Sequence, residues 1–379
     1  MLRFHPLSVA QVSADAEDAV AIALEVPESL RADYRSCPGQ HVVVRAHIDG
    51  EDIRRTYSLV SAPGEVPLRI VLRVHAHGRM SRFLAEDLRA GDVLEVLPPN
   101  GSFTVREGAP MSAGTFVAFA AGCGITPVLA IVRALLGREA VRVIVFYGNT
   151  GSARAMCLEE LLALKDRYLG RLSLHFLMSR EPQEVELYNG RLDAPRVRRF
   201  AESLFRAQEV SEYFICGPGD MIEKIGATLR ELGVDAARLH AEHFTLATAA
   251  TGAASSGAAA DRSAPAAGPA AVAPLAPRQT SGADVRAAEV TVRMDGRRRT
   301  FTARKDDETV LDAAARAGIE LPFSCRAGVC STCRTKVISG EVEMAQNYAL
   351  EEGELEQGYV LACQSRVKSA TLELDYDEK

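Results

Sequence analysis

The chain has 379 residues, 25% of them charged and 47% hydrophobic, enough for two or three domains with cores of their own. Its net charge of -6, with no basic run beyond Arg297-Arg298-Arg299, excludes a nucleic-acid footprint. That triplet reads as a solvated turn after Asp295-Gly296, and no stretch is apolar over the length of a membrane span.

The opening "MLRFHPLSVAQVSADAEDAV" lacks the apolar core of a secretory leader. Five cysteines (Cys37, Cys123, Cys157, Cys216, Cys363) are scattered, which is no disulfide framework and points to a reduced, cytoplasmic setting. Residues 1–108 read as all-β. "HVVVRAHI", "RRTYSLVS", "LRIVLRVHA" and "DVLEVLPP" are short, β-branched and bounded by Gly, Pro and Asp, as in a small antiparallel β-barrel.

Between 109 and 246 the pattern changes. Apolar runs "GTFVAFAAG", "VRVIVFYGN", "LSLHFLMSR" and "EYFICGPG" alternate with helical patterns "PVLAIVRALLG" and "ARAMCLEELLALKDRYL". Strand alternating with helix predicts a doubly wound parallel sheet with helices on both faces. Gly122, Gly124 and Pro127 fall where the first strand should turn into its helix, so backbone can approach a phosphate at the helix N-terminus. Cys216-Gly217-Pro218 ends a later strand, at the carboxyl edge where open sheets bind ligands.

Residues 247–287 are almost all Ala, Pro, Gly and Ser, with too little bulky apolar surface to offset ordering entropy. They read as a semi-flexible linker with a reach of roughly 35 Å. It sets off 288–379 as a separate module carrying Cys325-x4-Cys330-x2-Cys333, with twenty-nine residues between Cys333 and Cys363. That is the plant-type [2Fe–2S] spacing, in which four thiolates complete the tetrahedra of two sulfide-bridged irons. Zinc competes for four cysteines, but structural zinc sites usually show two C-x2-C knuckles and one is present here.

These motifs together resemble the ferredoxin–NADP reductase superfamily. The resemblance implies FAD on the barrel: Arg55 on the pyrophosphate, Tyr57 stacked on the isoalloxazine, and Ser58 near N5. Arg73, Gly78, Arg79, Met80 and Ser81 would form a second phosphate-binding stretch, and Phe244 of "AEHF" an aromatic near the flavin. His243 stands there where Arg is more usual. In the second domain Gly122, Gly124, Thr126 and Pro127 would cradle the nucleotide pyrophosphate. Cys216, Gly217 and Pro218 would lie beside the nicotinamide, making Ser58 and Cys216 the expected catalytic pair. Ser179-Arg180 would grip a 2′-phosphate and Tyr188 stack on adenine, so NADPH is expected ahead of NADH.

"CRAGVCSTC" resembles the ferredoxin loop, and its flanks "AEVTVRMDG", "RTFTARKD", "TVLDAAARAG" and "ATLELDYD" resemble a β-grasp α+β domain. The metal ligands would be Cys325, Cys330, Cys333 and Cys363. The domain order, with "FHPLSVAQV", "CPGQHVVVRAHIDGEDIRRTYS" and "NYALEEGELEQGYVLACQSRV", resembles the reductase components of multicomponent phenylacetyl-CoA epoxidases. The function implied is electron transfer from NAD(P)H through FAD and a [2Fe–2S] cluster to a separate oxygenase, with no nucleic acid or membrane partner. The reductase of a steroid or aromatic-ring hydroxylase, or a diaphorase for small acceptors, remains the alternative.

Overall fold

The structure, a computed structural model, describes residues 3–105, 113–244, 287–304, 308–350 and 352–378; nearly all of the stretch read as a linker lies outside the described residues. The chain forms two compact units. One is Met1–Thr245 with Pro322–Cys333 and Asn347–Ala349; the other is Leu246–Leu321 with Arg334–Gln346 and Leu350–Lys379.

The first part of the chain supplies β1 (His5–Ala16), β2 (Ala19–Glu25), β3 (His41–Ile48), β4 (Glu51–Ser58), β5 (Leu68–Arg73) and β6 (Val93–Val96). They form an antiparallel sheet in the order β4-β3-β6-β1-β2-β5, and a bridge between Leu59 and Ile70 joins its two edges into a barrel. Strands β1 and β2 add to those read from sequence. β1 begins with strict alternation, burying His5, Leu7 and Val9 between exposed Pro6, Ser8 and Ala10. Asp49 and Gly50, at φ 52° and 79°, make the two-residue turn that hairpins β3 onto β4. A short helix, α1 (Arg79–Arg82), follows β5.

The second part runs β7 (Ala113–Ala121), α2 (Ile125–Leu136), β8 (Ala140–Asn149), α3 (Leu158–Arg167), β9 (Leu172–Met178), α4 (Ala194–Ser203), β10 (Glu212–Gly217), α5 (Gly219–Glu231) and β11 (Leu239–His243). All five strands are parallel, ordered β11-β10-β7-β8-β9. Alternate residues divide between two cores. Phe116, Ala118, Val143, Val145 and Phe214 pack with α2 and α3; Val117, Phe119, Ile144, Phe146 and Ile215 pack with α4 and α5. Helices therefore cover both faces, and the order reverses between β7 and β10. Helix α3 starts later than the sequence pattern suggested. Cys157 takes a left-handed φ of 55° and its N–H donates to Asp15 Oδ2 at 2.9 Å, a tie to the barrel that breaks the helix before Leu158.

The last part contains β12 (Ala287–Met294), β13 (Arg297–Arg304), α6 (Val310–Arg316), β14 (Arg334–Ser339), β15 (Val342–Met344), α7 (Glu352–Glu356), β16 (Tyr359–Leu361), β17 (Ser365–Val367) and β18 (Thr371–Asp375). Its sheet is ordered β13-β12-β18-β14-β16, with β12 and β18 parallel in the middle. Helix α6 contributes buried Val310, Leu311, Ala313 and Ala314, and this is a β-grasp. The Arg297–Arg299 triplet opens strand β13 and is not itself the turn. The turn is Asp295-Gly296, both at positive φ, with both N–H groups donating to the Asp377 carboxylate at 2.7 and 2.8 Å. Among the described residues no helix is long and apolar enough to cross a membrane.

Candidate functional site

The two glycine-bearing motifs of the parallel sheet meet at its switch point. Gly122, at φ 53° with open space where a Cβ would stand, begins the turn after β7. Gly124 presses on β10: a Cβ there would lie 2.1 Å from the carbonyl oxygen of Cys216. Only glycine permits that approach, so the spacing of one motif is fixed by contact with the other. Thr126 Oγ1 donates to the Cys123 carbonyl at 2.9 Å, and Pro127 is buried in the first turn of α2. The turn lies at the carboxyl edge of the sheet and leads into the N-terminus of α2, a geometry that suits an anion. Across from it, Cys216 is fully buried and burial pushes its thiol well up, so it is a neutral, apolar wall. Gly217 leaves no room beside Met221 and Ala121, and Pro218 caps α5.

On the barrel, Ser58 ends β4, buried, with its hydroxyl unpartnered among the described residues. Tyr57 packs against the barrel core, and burial pushes its phenol up. Arg55 is exposed, donating to the Arg54 carbonyl at 2.7 Å. Gly78 and Ser81 interlock: Ser81 Oγ donates to the Gly78 carbonyl at 3.0 Å and accepts from His75 N–H at 3.1 Å. Met80 buries its side chain in the barrel core, leaving only backbone for a ligand. Arg79 is held at the surface by Glu51, Asp49 and the Ile48 carbonyl. Arg73 pairs with Asp18 and donates to the Arg154 carbonyl at 2.8 Å. Arg73 therefore ties the barrel to the nucleotide domain beside Cys123.

At the far edge of the sheet, Ser179 and Arg180 continue β9, their N–H groups donating to the carbonyls of Asn149 and Thr150 at 2.9 Å each. The Arg180 side chain is exposed, while neighbouring Glu181 turns back to accept from Ser152. Tyr188 is anchored by a 2.8 Å hydrogen bond between its hydroxyl and His175 Nδ1 and stacks on Phe200.

Two residues not singled out from the sequence join the expected catalytic pair. His41 is the cross-strand partner of Ser58, and Glu242 is the register partner of Cys216. His41 Nδ1 lies 3.6 Å from Glu242 Oε1, so barrel and nucleotide domain meet through this pair. The only local signals were a histidine opening "HVVVRAHI" and a glutamate two positions before Phe244. Phe244 itself packs, half-buried, against the core that holds Cys216.

In the cysteine loop, Arg326, Gly328 and Ser331 take left-handed φ of 53°, 74° and 52° and curl the chain tightly. Backbone N–H groups of Ala327 and Val329 then donate to Cys325 Sγ at 3.3 and 3.4 Å, and that of Cys325 to Cys330 Sγ at 3.5 Å. Cys330, Cys333 and Cys363 are buried. The Cys325 sulfur beside it, and burial, push the Cys330 thiol well up. Sulfurs so crowded ionise readily only beside cationic charge, which cluster iron supplies, and N–H groups aimed at sulfur suit a thiolate-bound cluster.

Three family models match in chain order: an oxidoreductase FAD-binding domain over 8–105, an oxidoreductase NAD-binding domain over 119–226, and a 2Fe-2S iron-sulfur cluster binding domain over 292–368. The chain is 37% identical to a subunit of the 1,2-phenylacetyl-CoA epoxidase of Escherichia coli (strain K12), over all of this chain and 99% of that one. It is 31% identical to the ferredoxin reductase component of 3-ketosteroid-9-alpha-monooxygenase from Rhodococcus rhodochrous, over 98% and 96%. Phthalate dioxygenase reductase, described as a modular structure for electron transfer from pyridine nucleotides to [2Fe–2S], shares the fold over 98% of both chains, at a TM-score of 0.55 and 22% identity. With a flavin barrel, a pyridine-nucleotide sheet and a [2Fe–2S] β-grasp in this order, the chain belongs to the family of NAD(P)H-dependent oxygenase reductases that includes a subunit of phenylacetyl-CoA epoxidase.

Proposed function

We propose that this chain is the reductase component of a phenylacetyl-CoA epoxidase, drawing on NADPH ahead of NADH in a cytoplasmic, reducing setting. The observation that carries the reading is the 37% identity to the Escherichia coli epoxidase chain over the full length of both. The 31% identity to the 3-ketosteroid monooxygenase component supports a second reading, the reductase of a ring hydroxylase.

The domains run 1–108, 109–246 and 288–379, with 247–287 as the tether between nucleotide and ferredoxin modules. FAD, when bound, supplies the step from a two-electron hydride to single electrons. The residues present suit it: the unpartnered Ser58 hydroxyl offers a hydrogen bond at the flavin's reactive edge, and Tyr57 offers a ring face. Cys216 excludes water beside the nicotinamide, and the open turn at Gly122 lets the pyrophosphate approach. Arg180 provides a planar fork for a 2′-phosphate. Cys325, Cys330, Cys333 and Cys363 would hold the cluster, which would supply one-electron transfer to the partner.

The test is reconstitution: purified epoxidase, phenylacetyl-CoA, NADPH and this reductase, with product measured. Epoxide formation is expected. Strong cytochrome c reduction without product would move the partner to another oxygenase.

A further inference from the structure

An arginine on the outer face of a barrel strand is normally solvated. Along β4, Ile53 and Tyr57 pack into the barrel core, so Asp52, Arg54 and Thr56 take the opposite face. Arg54 is nevertheless only 6% exposed. Two aromatic rings cover it: its guanidinium carbon lies 5.1 Å from the ring centre of Phe4 and 4.2 Å from that of Phe323. The Asp52 carboxylate, 2.9 Å away, balances the charge.

Phe323 stands two residues before Cys325, in the stretch Pro322–Cys333 that falls in the same compact unit as the barrel. Arg326 also lies against its ring, with the guanidinium carbon 4.5 Å from the centre. The next residue, Ser324, is buried and shares a 2.8 Å hydrogen bond with Thr56. Two successive residues of the loop thus meet two successive outward residues of β4. Farther along, the Tyr348 N–H donates to the Gly328 carbonyl at 2.9 Å, and the Tyr348 ring lies 5.2 Å from that of His243. The loop is therefore held at two places. Phe323 is only half-buried, so ring–cation contacts and a hydroxyl pair, not apolar burial, make its seat.

We propose that Arg54 is the anchor that seats the cysteine loop on the flavin barrel, with Phe323 as the side chain it grips, so that electrons reach the cluster across this contact. The proposal rests on the reading of β4 as the flavin strand and of the four cysteines as cluster ligands. Arg54 and Thr56 alternate along β4 with Arg55 and Tyr57, and Ser324 is the chain neighbour of Cys325. The seat joins the flavin strand to a cluster ligand through one hydrogen bond. Electrons cross one at a time: the flavin is oxidised, the cluster is reduced, and no bond is made or broken at the seat. Arg54 is thus a positioning residue, and a planar guanidinium suits two rings where the compact ammonium of lysine does not.

The test uses full-length holoprotein whose FAD, iron and labile sulfide are first quantified. Amide hydrogen exchange reads the seat without turnover. In Arg54→Met, exchange across residues 322–329 is expected to quicken about 10-fold, with β3 and β6 as protected as in wild type. Reduction by NADPH without oxygen, followed at separate flavin and cluster wavelengths, then reads the handover. Flavin-to-cluster transfer is expected to slow about 10-fold in Arg54→Met and in Phe323→Leu, and no further in the double variant, while flavin reduction keeps its rate. Wild-type exchange at 322–329 in Arg54→Met would overturn the proposal, as would wild-type transfer, or single effects that multiply in the double variant. Should Arg54→Met also lose protection in β3 and β6, Phe323→Leu reads the same two quantities, and wild-type values in it overturn the proposal. Failure of the cluster reading has another signature: the wild-type protein then lacks iron and sulfide, while exchange at 322–329 still answers to Arg54→Met.

Discussion

Gly124 shows how one missing side chain aligns two motifs. An alanine Cβ would meet backbone, not a yielding side chain, so Gly124→Ala should cost about 1–3 kcal/mol or more and weaken nucleotide binding. Thermal denaturation and an NADP+ titration measure both effects. Arg180 carries the proposed coenzyme preference. Removing a charge-assisted contact worth about 1.5–3 kcal/mol should cut kcat/KM for NADPH roughly 10- to 100-fold and leave NADH nearly untouched. Equal losses for the two coenzymes would end that assignment. Asp15 gives a pH signature. Burial raises its carboxyl, with the Cys157 N–H working in the opposite direction. The folded protein thus holds the Asp15 proton more tightly than the unfolded chain. Its contribution to stability is fully present below the unfolded value and is lost as pH rises through the raised one. Asn keeps the carbonyl acceptor without the charge. Asp15→Asn should therefore melt higher than wild type at pH 7, with the gap closing toward pH 4, as melting curves across pH would reveal.

Among the elements, the cysteine loop and the seam between barrel and parallel sheet make separate demands. In the loop, Cys330→Ser should abolish cytochrome c reduction while ferricyanide, which drains the flavin directly, is still reduced. Loss of both activities would mean that the cluster also supports the flavin site. At the seam, Glu160 of α3 pairs with Arg69 of β5, at 2.6 Å, and with Arg133 of α2. Glu160→Ala removes the carboxylate that Arg69 and Arg133 share, leaving Arg133 with Glu65 at 4.0 Å, and should cost about 1–3 kcal/mol, between the values for exposed and buried pairs. Denaturant titration measures it. Element identity was largely legible: the run His41–Ile48 is β3 residue for residue, and Asp295-Gly296 turns as its sequence demands. The start of α3 was not. A contact from Asp15, over a hundred positions away, sets it, and helical periodicity carries no trace of such a partner.

For the whole molecule, docking to the oxygenase is expected to depend on charge. Residues 288–379 hold 17 acidic and 13 basic side chains, yet Arg326, Arg334 and Lys336 lie in or beside the cluster loop. Turnover with the oxygenase should fall as rising ionic strength shortens the Debye length below about 10 Å, while NADPH–ferricyanide activity changes far less. A salt-independent coupled rate would exclude electrostatic docking. By itself the sequence determined the three modules, their order and the cofactor class, because strand periodicity, glycine turns and cysteine spacing are local and survive translation into structure. It also led to the expectation that Ser58 and Cys216 form the catalytic pair. Tertiary structure alone decided that His41 and Glu242 link them. Those two residues are about 200 positions apart, belong to different domains, and meet only when β3 and β11 close on the same seam. It also decided that Met80 faces the barrel core and that Arg73 is engaged by Asp18, since a side chain's partners depend on which distant strand folds against it.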